Sequence, residues 1–156
     1  MSVFEYNFEQ YKSLSPDLSR KEKYNLQVEL LKLQEDVIKK KRKIAICFEG
    51  RDTAGKSSTI NFFSEHLIPS NFNYVHLGIP TKKERKNWFE RYETYLPNKG
   101  QIVLFDRSWY TRALTEPTLG YCSKKQYEEF MTKVNKWEKS LVKKGTELVK
   151  FYFSID

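Results

Sequence analysis

Residues 48 to 63 read FEGRDTAGKSSTINFF and begin at the last residue of the apolar run IAICF. Gly50, four further residues and then Gly55, Lys56 and Ser57 fit the pattern of a phosphate-binding P-loop, which joins a strand to a helix. In such a loop, backbone N–H groups and the helix N-terminus converge on phosphate oxygens, and a side chain at either glycine would block that approach. Lys56 would then contact the transferred phosphate, and Ser57 could ligate Mg²⁺. The residues expected to bind phosphate are Gly50, Arg51, Thr53, Ala54, Gly55, Lys56, Ser57 and Ser58.

The loop also contains an acid, Asp52, between its two glycines. A carboxylate inside a phosphate cradle repels phosphate unless a cation lies between them. Asp52 is therefore expected to bind Mg²⁺ or to orient an attacking phosphate oxygen. The alternative is a structural role, in which Asp52 accepts hydrogen bonds from nearby backbone N–H groups of the turn.

A second group of reactive residues lies in IVLFDRSWYTR, residues 102 to 112. In P-loop enzymes, an apolar strand that ends in an acid positions the Walker B aspartate near Mg²⁺, so Asp106 is expected to be catalytic and metal-binding. Arg107 and Arg112 follow, and their guanidinium groups could bind phosphate in a bidentate manner and stabilise charge during transfer. Either arginine could instead pair with a local carboxylate.

The elements that must position these residues alternate between short apolar strands and helices. We predict strands at 44–49, 74–77, 102–105 and 148–153, and helices at 19–41, 56–66, 81–95 and from Ser123 to a stop at Gly145. Capping boxes, Ser19 with Glu22 and Ser123 with Gln126, mark two of the helix starts. The alternation predicts an α/β fold: a three-layer, P-loop NTPase-like architecture with a mainly parallel sheet flanked by helices.

The charged residues leave several functions open. Twenty-eight Lys and Arg against twenty Asp and Glu give a formal net charge of +8, which favours polyanionic partners such as nucleic acid, anionic membrane or polyphosphate. The segment TKKERKNWFERYETYLP, residues 81 to 97, carries cations that could line a track for a polyanion or form a solvated face. Its aromatic residues follow helical spacing and are expected in the core. His66 and His76 are isolated and are predicted to be structural.

Length and composition limit the class of protein. A chain of 156 residues is about one domain long. It contains no apolar run that approaches the roughly 18 residues needed to cross a bilayer, and its N-terminus has no signal-peptide core. We therefore expect a cytoplasmic protein without a membrane partner. Cys47 and Cys122 lack the spacing of a zinc site or a redox pair, so no disulfide or metal role is expected for them.

Together these segments resemble the polyphosphate kinase 2 family. The similarity runs from about Leu26 to Asp156 and includes LQVELLKLQEDV, the FEGRDTAGK loop, ERKNWFERY, the IVLFDRSWY strand with its following arginine, and the YEEF helix before KFYFSI. The resemblance implies Mg²⁺-dependent transfer of a phosphoryl group, in either direction, between inorganic polyphosphate and a nucleoside mono- or diphosphate. The nucleotide pair would be ADP and ATP or another purine pair.

Carried over by position, the resemblance also implies a role for each residue. Lys56 contacts phosphate, while Asp52 and Asp106 hold Mg²⁺ and orient the acceptor. Arg107 and Arg112 bind the phosphates being exchanged. Family members commonly assemble as dimers or tetramers, so a homo-oligomer is expected. The leading helix could serve that assembly or pack on the core.

The sequence departs from the family in two ways. Ser57 and Ser58 replace the Gly-Gly of many relatives and Thr111 replaces an Asn, changes that we expect the site to tolerate. The family also continues beyond FSI into a lid and closing helices, which are absent here. We therefore expect a truncated P-loop kinase domain over 19–156, preceded by an irregular arm over 1–18. Its activity needs measurement, because lid closure normally completes the charge clamp.

Three other functions stay open. A thymidylate-kinase-like nucleoside monophosphate kinase has a similar loop, but its Walker B strand usually continues as Asp-Arg-Tyr rather than as DRSWYTR. A non-catalytic fragment could bind polyphosphate or nucleotide with Mg²⁺ and without turnover. A nucleic-acid-binding module is the weakest alternative, because acids in and near the loop fit metal–phosphate chemistry better than contact with a duplex.

Overall fold

A parallel sheet organises residues 14–154, the part of the chain that the computed structural model describes. Its strands are β1 (Lys43–Gly50), β2 (Phe72–Val75), β3 (Gln101–Asp106) and β4 (Thr146–Phe153). They lie in the order β2-β3-β1-β4, and each neighbouring pair is parallel. The register places Phe48 opposite Asp106, so the loop after β1 and the acid that ends β3 lie at the same edge of the sheet.

Helices connect the strands and cover both faces of the sheet. They are α1 (Pro16–Lys39), α2 (Lys56–Ser64), α3 (Lys82–Lys86), α4 (Glu90–Glu93), α5 (Thr115–Thr118) and α6 (Lys124–Lys143). Short 3₁₀ turns cover Pro69–Asn71 and Trp109–Arg112. Between residues 14 and 154, no helix combines the length and the apolar character that a membrane crossing requires.

The two central strands, β1 and β3, are buried on both faces. On one face, Val103 and Phe105 of β3 share a buried cluster with Tyr92 of α4 and with Phe130 and Val134 of α6. On the other face, a second cluster joins the same strands to α1 and α2. Its buried members are Val37, Ile44, Ile46, Phe48, Ile60, Ile102 and Leu104. Helices on both faces explain why the strand sequences are continuously apolar, and the predicted three-layer, P-loop NTPase-like α/β fold is confirmed.

The first helix begins earlier than predicted. α1 starts at Pro16, and the Ser15 side chain accepts a hydrogen bond from the backbone N–H of Leu18 at 3.3 Å, so the predicted start at Ser19 is wrong. Proline at the first helical position has no N–H to leave unpaired, and its fixed φ suits the helix. The helix therefore begins at the Ser15 cap, one turn before the predicted capping box of Ser19 and Glu22. The end of the predicted irregular arm is therefore helical, and residues 1–13 lie outside the described range.

The basic segment after β2 contradicts the predicted continuous helix over 81–95. It forms α3 and α4 with a break between them, where Asn87 leaves the helical region with φ −110° and ψ 62°. Trp88 is buried, and its indole N–H donates to the carbonyl oxygen of Trp109 at 2.9 Å. Phe89 packs against aromatic side chains of α6. Tertiary contacts of these two aromatics override the helical spacing of the segment.

The last helix has the predicted ends. The Ser123 hydroxyl accepts from the Gln126 N–H at 3.3 Å, the Gln126 side chain accepts from the Ser123 N–H at 2.9 Å, and Gly145 follows the helix with φ 82°. Strand β2, in contrast, begins and ends two residues before the predicted range 74–77. The shift leaves His76 in the loop after β2, at the same edge of the sheet as the P-loop.

Candidate active site

The loop between β1 and α2 contains two glycines with positive φ, Gly50 at 135° and Gly55 at 87°. A Cβ atom on Gly50 would overlap the carbonyl group of Phe153 in β4 and lie 2.8 Å from its nitrogen, so the neighbouring strand excludes a side chain. A Cβ atom on Gly55 would meet no atom within 4 Å, and there the left-handed backbone alone favours glycine. Contact with β4 therefore requires glycine at the start of the loop, and the left-handed backbone favours glycine at its end.

Lys56, the first residue of α2, reaches back over the loop. Its Nζ donates to the carbonyl oxygens of Gly50 at 3.0 Å and Arg51 at 2.6 Å, and the residue is buried. Ser57 and Ser58 are exposed on the first turn of the same helix, which has no side-chain cap. The first four N–H groups of a helix have no intrahelical partner, so this turn can donate hydrogen bonds to an anion.

Asp106 ends β3 and is buried, with two partners from the β2 side of the sheet. Its Oδ2 accepts from the Tyr74 hydroxyl at 2.8 Å and lies 3.5 Å from Nδ1 of His76. Burial, together with the hydrogen bond to Asp106, raises the pKa of Tyr74 to about 12, so the hydroxyl can donate at neutral pH. No motif marked Tyr74 or His76. Their position at the carboxyl end of the strand next to β3 is the signal that could have identified them.

Arg107 follows with a left-handed backbone, φ 62°. Its N–H donates to the carbonyl oxygen of Phe48 at 3.0 Å, and its guanidinium contacts the Asp52 carboxylate and donates to Oγ1 of Thr115 at 2.9 Å. Arg107 therefore does pair with a carboxylate, but with Asp52 of the P-loop and not with the adjacent Asp106. This ion pair joins the P-loop to the turn after β3.

Most of the predicted phosphate-binding and catalytic residues surround one open cleft of about 370 Å³. Its lining residues are Asp52, Thr53, Gly55, Lys56, Ser57, Ser58, His76, Asp106 and Arg107. The predicted phosphate-binding residues Gly50, Arg51 and Ala54 complete the loop without lining the cleft. The cleft thus brings two acids and two cations to the carboxyl edge of the sheet, where α/β proteins bind ligands.

A second, more apolar hollow of about 250 Å³ opens beside this cleft. The two share the lining residues Asp52, His76, Asp106 and Arg107. Its wall includes Ile79, Leu119 and Tyr121. Ile79 is 70% exposed and Leu119 is 55% exposed, so apolar surface is available for a ligand to cover. The arrangement suits a ligand with a flat apolar part whose charged end lies in the neighbouring cleft.

Arg112, also predicted to bind phosphate, lies outside the residues that line the cleft. It is 1% exposed; its Nε is 3.2 Å from Oε2 of Glu116, and its Nη2 donates to the carbonyl oxygen of Arg85 at 3.1 Å. The guanidinium lies 4.0 Å from the centre of the Trp88 ring. Burial raises the pKa of Glu116, and the charge of Arg112 opposes that shift. The local ion pair considered for Arg112 is present, and its role in phosphate transfer stays a prediction.

The residues predicted to hold Mg²⁺ meet at the cleft. Asp52, Asp106 and Ser57 supply the oxygen donors that Mg²⁺ prefers, and such sites are usually completed by water and substrate phosphates. Within residues 14–154, no group of three His, Cys, Asp or Glu side chains forms a metal site by itself. The donor set therefore fits a Mg²⁺ ion that is shared with a phosphate ligand, and this assignment stays a prediction.

The parallel sheet, the glycine-bounded loop before α2 and the acid at the end of β3 define a P-loop NTPase-like α/β protein. The model of one family, Polyphosphate kinase 2 (PPK2), matches residues 13–156. The chain therefore belongs to the polyphosphate kinase 2 family, which confirms the resemblance and speaks against the thymidylate-kinase-like alternative.

The chain is similar to the ADP-polyphosphate phosphotransferase of Pseudomonas aeruginosa, with 44% identity over 144 residues, 89% of this chain and 47% of that protein. It is 48% identical to the GDP-polyphosphate phosphotransferase of Mycolicibacterium smegmatis over 131 residues, 83% of this chain and 46% of that protein. The crystal structure of Polyphosphate Kinase 2 from Arthrobacter aurescens has the same fold, with a TM-score of 0.84, 20% identity, and coverage of 99% of this chain and 59% of that chain. The chain spans about half the length of the curated relatives it matches.

Proposed function

We propose that this chain transfers a phosphoryl group between inorganic polyphosphate and a nucleoside mono- or diphosphate, with Mg²⁺ as cofactor. The observation that carries the proposal is the meeting of Asp52, Lys56, Asp106 and Arg107 around one cleft. Phosphoryl transfer mainly requires that the protein position the reactants and stabilise charge, which two acids and two cations can do. The family match, and relatives named ADP- and GDP-polyphosphate phosphotransferases, support polyphosphate as one substrate.

In the proposed reaction, the bond between the terminal phosphorus of the donor and its bridging oxygen breaks, and a bond forms from that phosphorus to a terminal phosphate oxygen of the acceptor. Lys56 exchanges the carbonyl oxygens of Gly50 and Arg51 for oxygens of the transferred phosphate. The N–H groups at the start of α2 donate to the remaining oxygens. The negative charge of the donor phosphate therefore stays neutralised while the old bond breaks.

The other charged residues of the site act on the phosphate oxygens and on the acceptor. Arg107 exchanges Asp52 for phosphate oxygens and stabilises the charge that develops during transfer. Arg112, which does not line the cleft, is proposed to support phosphate binding. Asp52, once free, orients the attacking oxygen of the acceptor. Mg²⁺, when bound, would neutralise phosphate charge, with Asp52, Asp106 and Ser57 as its protein ligands.

We propose that the apolar hollow beside the cleft receives the base of the nucleotide. A wall of aliphatic and aromatic side chains, including Ile79, Leu119 and Tyr121, can cover a base without imposing a fixed pattern of hydrogen bonds. Relatives named for ADP, GDP and NDP are consistent with such a site. The acceptor proposed is the purine nucleotide that the family resemblance implies.

We also propose that the chain forms a homo-oligomer, a dimer or a tetramer. The C-terminal half of α1 packs on the sheet, where Val37 is fully buried, whereas Leu18, Tyr24 and Leu26 are 44%, 66% and 55% exposed. Large apolar side chains that a helix leaves exposed can be covered by a second subunit. Sedimentation velocity tests the proposal, and a monomer at all concentrations studied would contradict it.

The test of the activity is ATP formation by this chain from polyphosphate, ADP and Mg²⁺. Lys56→Ala should abolish turnover, because it removes the cation that contacts the transferred phosphate. Lys124→Ala removes a lysine whose side chain is 89% exposed at the start of α6 and should leave turnover unchanged. ATP formation that persists in Lys56→Ala would contradict the proposal.

A second candidate function is Mg²⁺-dependent binding of polyphosphate without turnover. The observation in its favour is that the match covers 47% of the Pseudomonas aeruginosa relative, so catalytic parts of that relative can lie outside the matched region. Calorimetry with tripolyphosphate separates the two candidates. Binding that requires Lys56, with no ATP formation, would favour the binding function.

A further inference from the structure

Glu49 is a buried carboxylate to which the proposed reaction assigns no role. It is the last residue but one of β1, is 6% exposed, and lies at the base of the phosphate loop. Its Oε1 accepts two hydrogen bonds from Ser108, from the backbone N–H at 2.5 Å and from the hydroxyl at 2.7 Å. Burying a carboxylate is costly unless hydrogen bonds or opposite charges compensate. For Glu49, at the carboxyl end of β1, the two donors of Ser108 do so together with the charges of Arg107 and Lys56.

The contact extends the pairing of β1 with β3 beyond the last residues in register, Phe48 and Asp106. The Arg107 N–H donates to the Phe48 carbonyl oxygen at 3.0 Å, and the Glu49 side chain then accepts from the next N–H, that of Ser108. Arg107 is thus fixed on both sides by consecutive residues of β1. Its φ of 62° is strained for a residue with a Cβ atom, and such strain persists only where the surroundings impose it.

This backbone conformation determines where the Arg107 guanidinium lies. With φ at 62°, the side chain reaches the Asp52 carboxylate across the cleft. The rest of the turn has independent anchors, because the Tyr92 hydroxyl donates to the Ser108 carbonyl oxygen at 2.9 Å and Trp88 donates to the following carbonyl. Loss of the Glu49 contact should therefore release the peptide between Arg107 and Ser108 without unfolding the turn.

We propose that Glu49 is a positioning residue for phosphoryl transfer, which holds Ser108 and so keeps the Arg107 guanidinium at the phosphate cleft. The kinetic part of this inference rests on the proposed function, and the structural part does not. The role requires an oxygen that accepts two hydrogen bonds. Both donors go to one oxygen of Glu49, and glutamine has an equivalent oxygen.

Three variants test the inference. Glu49→Leu removes the acceptor at similar volume, and Glu49→Gln keeps it without the charge. Gln34→Leu is the matched control. Gln34 is fully buried, accepts from the Ile68 N–H at 2.7 Å and donates to the Ile68 carbonyl oxygen at 3.0 Å, so its loss removes two buried hydrogen bonds at residues that do not line the cleft. Two quantities are measured: the hydrogen-exchange rate of the Ser108 N–H, and kcat and KM for ATP formation.

In Glu49→Leu we expect exchange at Ser108 to accelerate at least about tenfold, and kcat to fall about tenfold to a hundredfold, as for the loss of a charged contact to the reacting phosphate. KM for ADP should change less than about threefold, because the base site keeps its contacts. Glu49→Gln should restore both quantities to within about threefold. Gln34→Leu should lower stability and leave both quantities unchanged.

Two results would overturn the inference: an unchanged exchange rate at Ser108 in Glu49→Leu, or a kcat for Glu49→Gln as low as that of Glu49→Leu. If Glu49→Leu does not fold, Ser108→Ala removes the hydroxyl that donates to Glu49 and also accepts from the Tyr110 N–H at 3.3 Å. It should lower kcat about threefold, and an unchanged kcat overturns the inference. If the wild-type chain forms no ATP, the proposed function fails separately. Tripolyphosphate affinity, expected to fall about tenfold in Glu49→Leu, then replaces kcat beside the exchange measurement.

Discussion

Replacing Gly50 with alanine should detach the phosphate loop from strand β4. Gly50 pairs in register with Phe153 and has φ 135°, a conformation that is strained for alanine. An added Cβ atom would overlap the Phe153 carbonyl and lie 2.8 Å from the Phe153 nitrogen. Strand backbone cannot move aside as the end of a flexible side chain can, so the last hydrogen bonds between β1 and β4 must break.

The expected loss of stability has two parts. Positive φ at a residue with a Cβ atom costs about 1–2 kcal/mol, and the loss of two ladder bonds costs about 1 kcal/mol each, which gives about 3–4 kcal/mol for Gly50→Ala. Gly120→Ala is the matched control, because Gly120 has φ 69° and no atom lies within 4 Å of its Cβ position. Gly120→Ala should therefore lose only the stability that positive φ costs, about 1–2 kcal/mol. For a domain of this size, about 3 °C of Tm corresponds to 1 kcal/mol. We therefore expect Tm to decrease by about 10 °C in Gly50→Ala and by about 4 °C in Gly120→Ala.

Thermal and urea unfolding followed by circular dichroism measure both losses. Tripolyphosphate binding should also weaken in Gly50→Ala, since the displaced loop carries the backbone N–H groups that are expected to converge on phosphate oxygens. Equal losses of stability in the two variants would refute the reasoning, because they would show that contact with β4 does not constrain Gly50.

Three further predictions follow from the contacts of single residues. Tyr74→Phe removes the hydroxyl that donates to Asp106; because Tyr74 is half exposed, water compensates in part, and kcat for ATP formation should fall about threefold to tenfold, whereas an unchanged kcat would contradict the role. Arg42→Met should lower Tm at pH 7, and the Tm difference should shrink as pH falls. Arg42 donates to both carboxylate oxygens of Glu147 and to the Asp36 carboxylate at 2.6 Å, and it holds the pKa of Glu147 below its usual range. Its stabilisation is therefore fully present above the unfolded pKa values of about 3.9 and 4.3 and is lost as pH falls through the folded values; a Tm difference that does not shrink on acidification would argue against it. Asp52→Asn releases the arginine that Asp52 now pairs with, so calorimetry should show tripolyphosphate binding about tenfold tighter without Mg²⁺, while ATP formation with Mg²⁺ falls. Weaker binding would count against the pairing.

Sequence reasoning recovered those parts of the fold that depend on local patterns. The apolar runs before Gly50 and Asp106 are central strands, and the capping box at Ser123 begins α6. Sequence reasoning was wrong where a contact that is distant in sequence determines the backbone conformation. Trp88 interrupts the predicted helix over 81–95 because its indole N–H bonds to a carbonyl that follows β3, and nothing within the segment reveals that partner.

The same limit applies to the site. The motif places Lys56 and Asp106 correctly at one edge of the sheet, because parallel strands align their carboxyl ends. It does not reveal that Tyr74 contacts Asp106, since this depends on β2 lying next to β3. It also treats Arg107 and Arg112 alike, although one lines the cleft and the other is buried against Glu116. The difference follows from the turn after β3, whose backbone the sequence does not specify.

The acid inside the phosphate loop can be understood from the charges of the cleft itself. Lys56 bonds to carbonyl oxygens of the loop, and the Arg107 guanidinium contacts the Asp52 carboxylate. Both cations are therefore partly neutralised in the ligand-free cleft, which avoids repulsion between positive groups in a confined site. A bound phosphate would replace these partners one for one, and the Asp52 carboxylate that it displaces would become available to a metal ion. On this account Asp52 competes with phosphate for Arg107 in the absence of a metal ion, and a bound metal ion would remove that competition by taking up the Asp52 carboxylate.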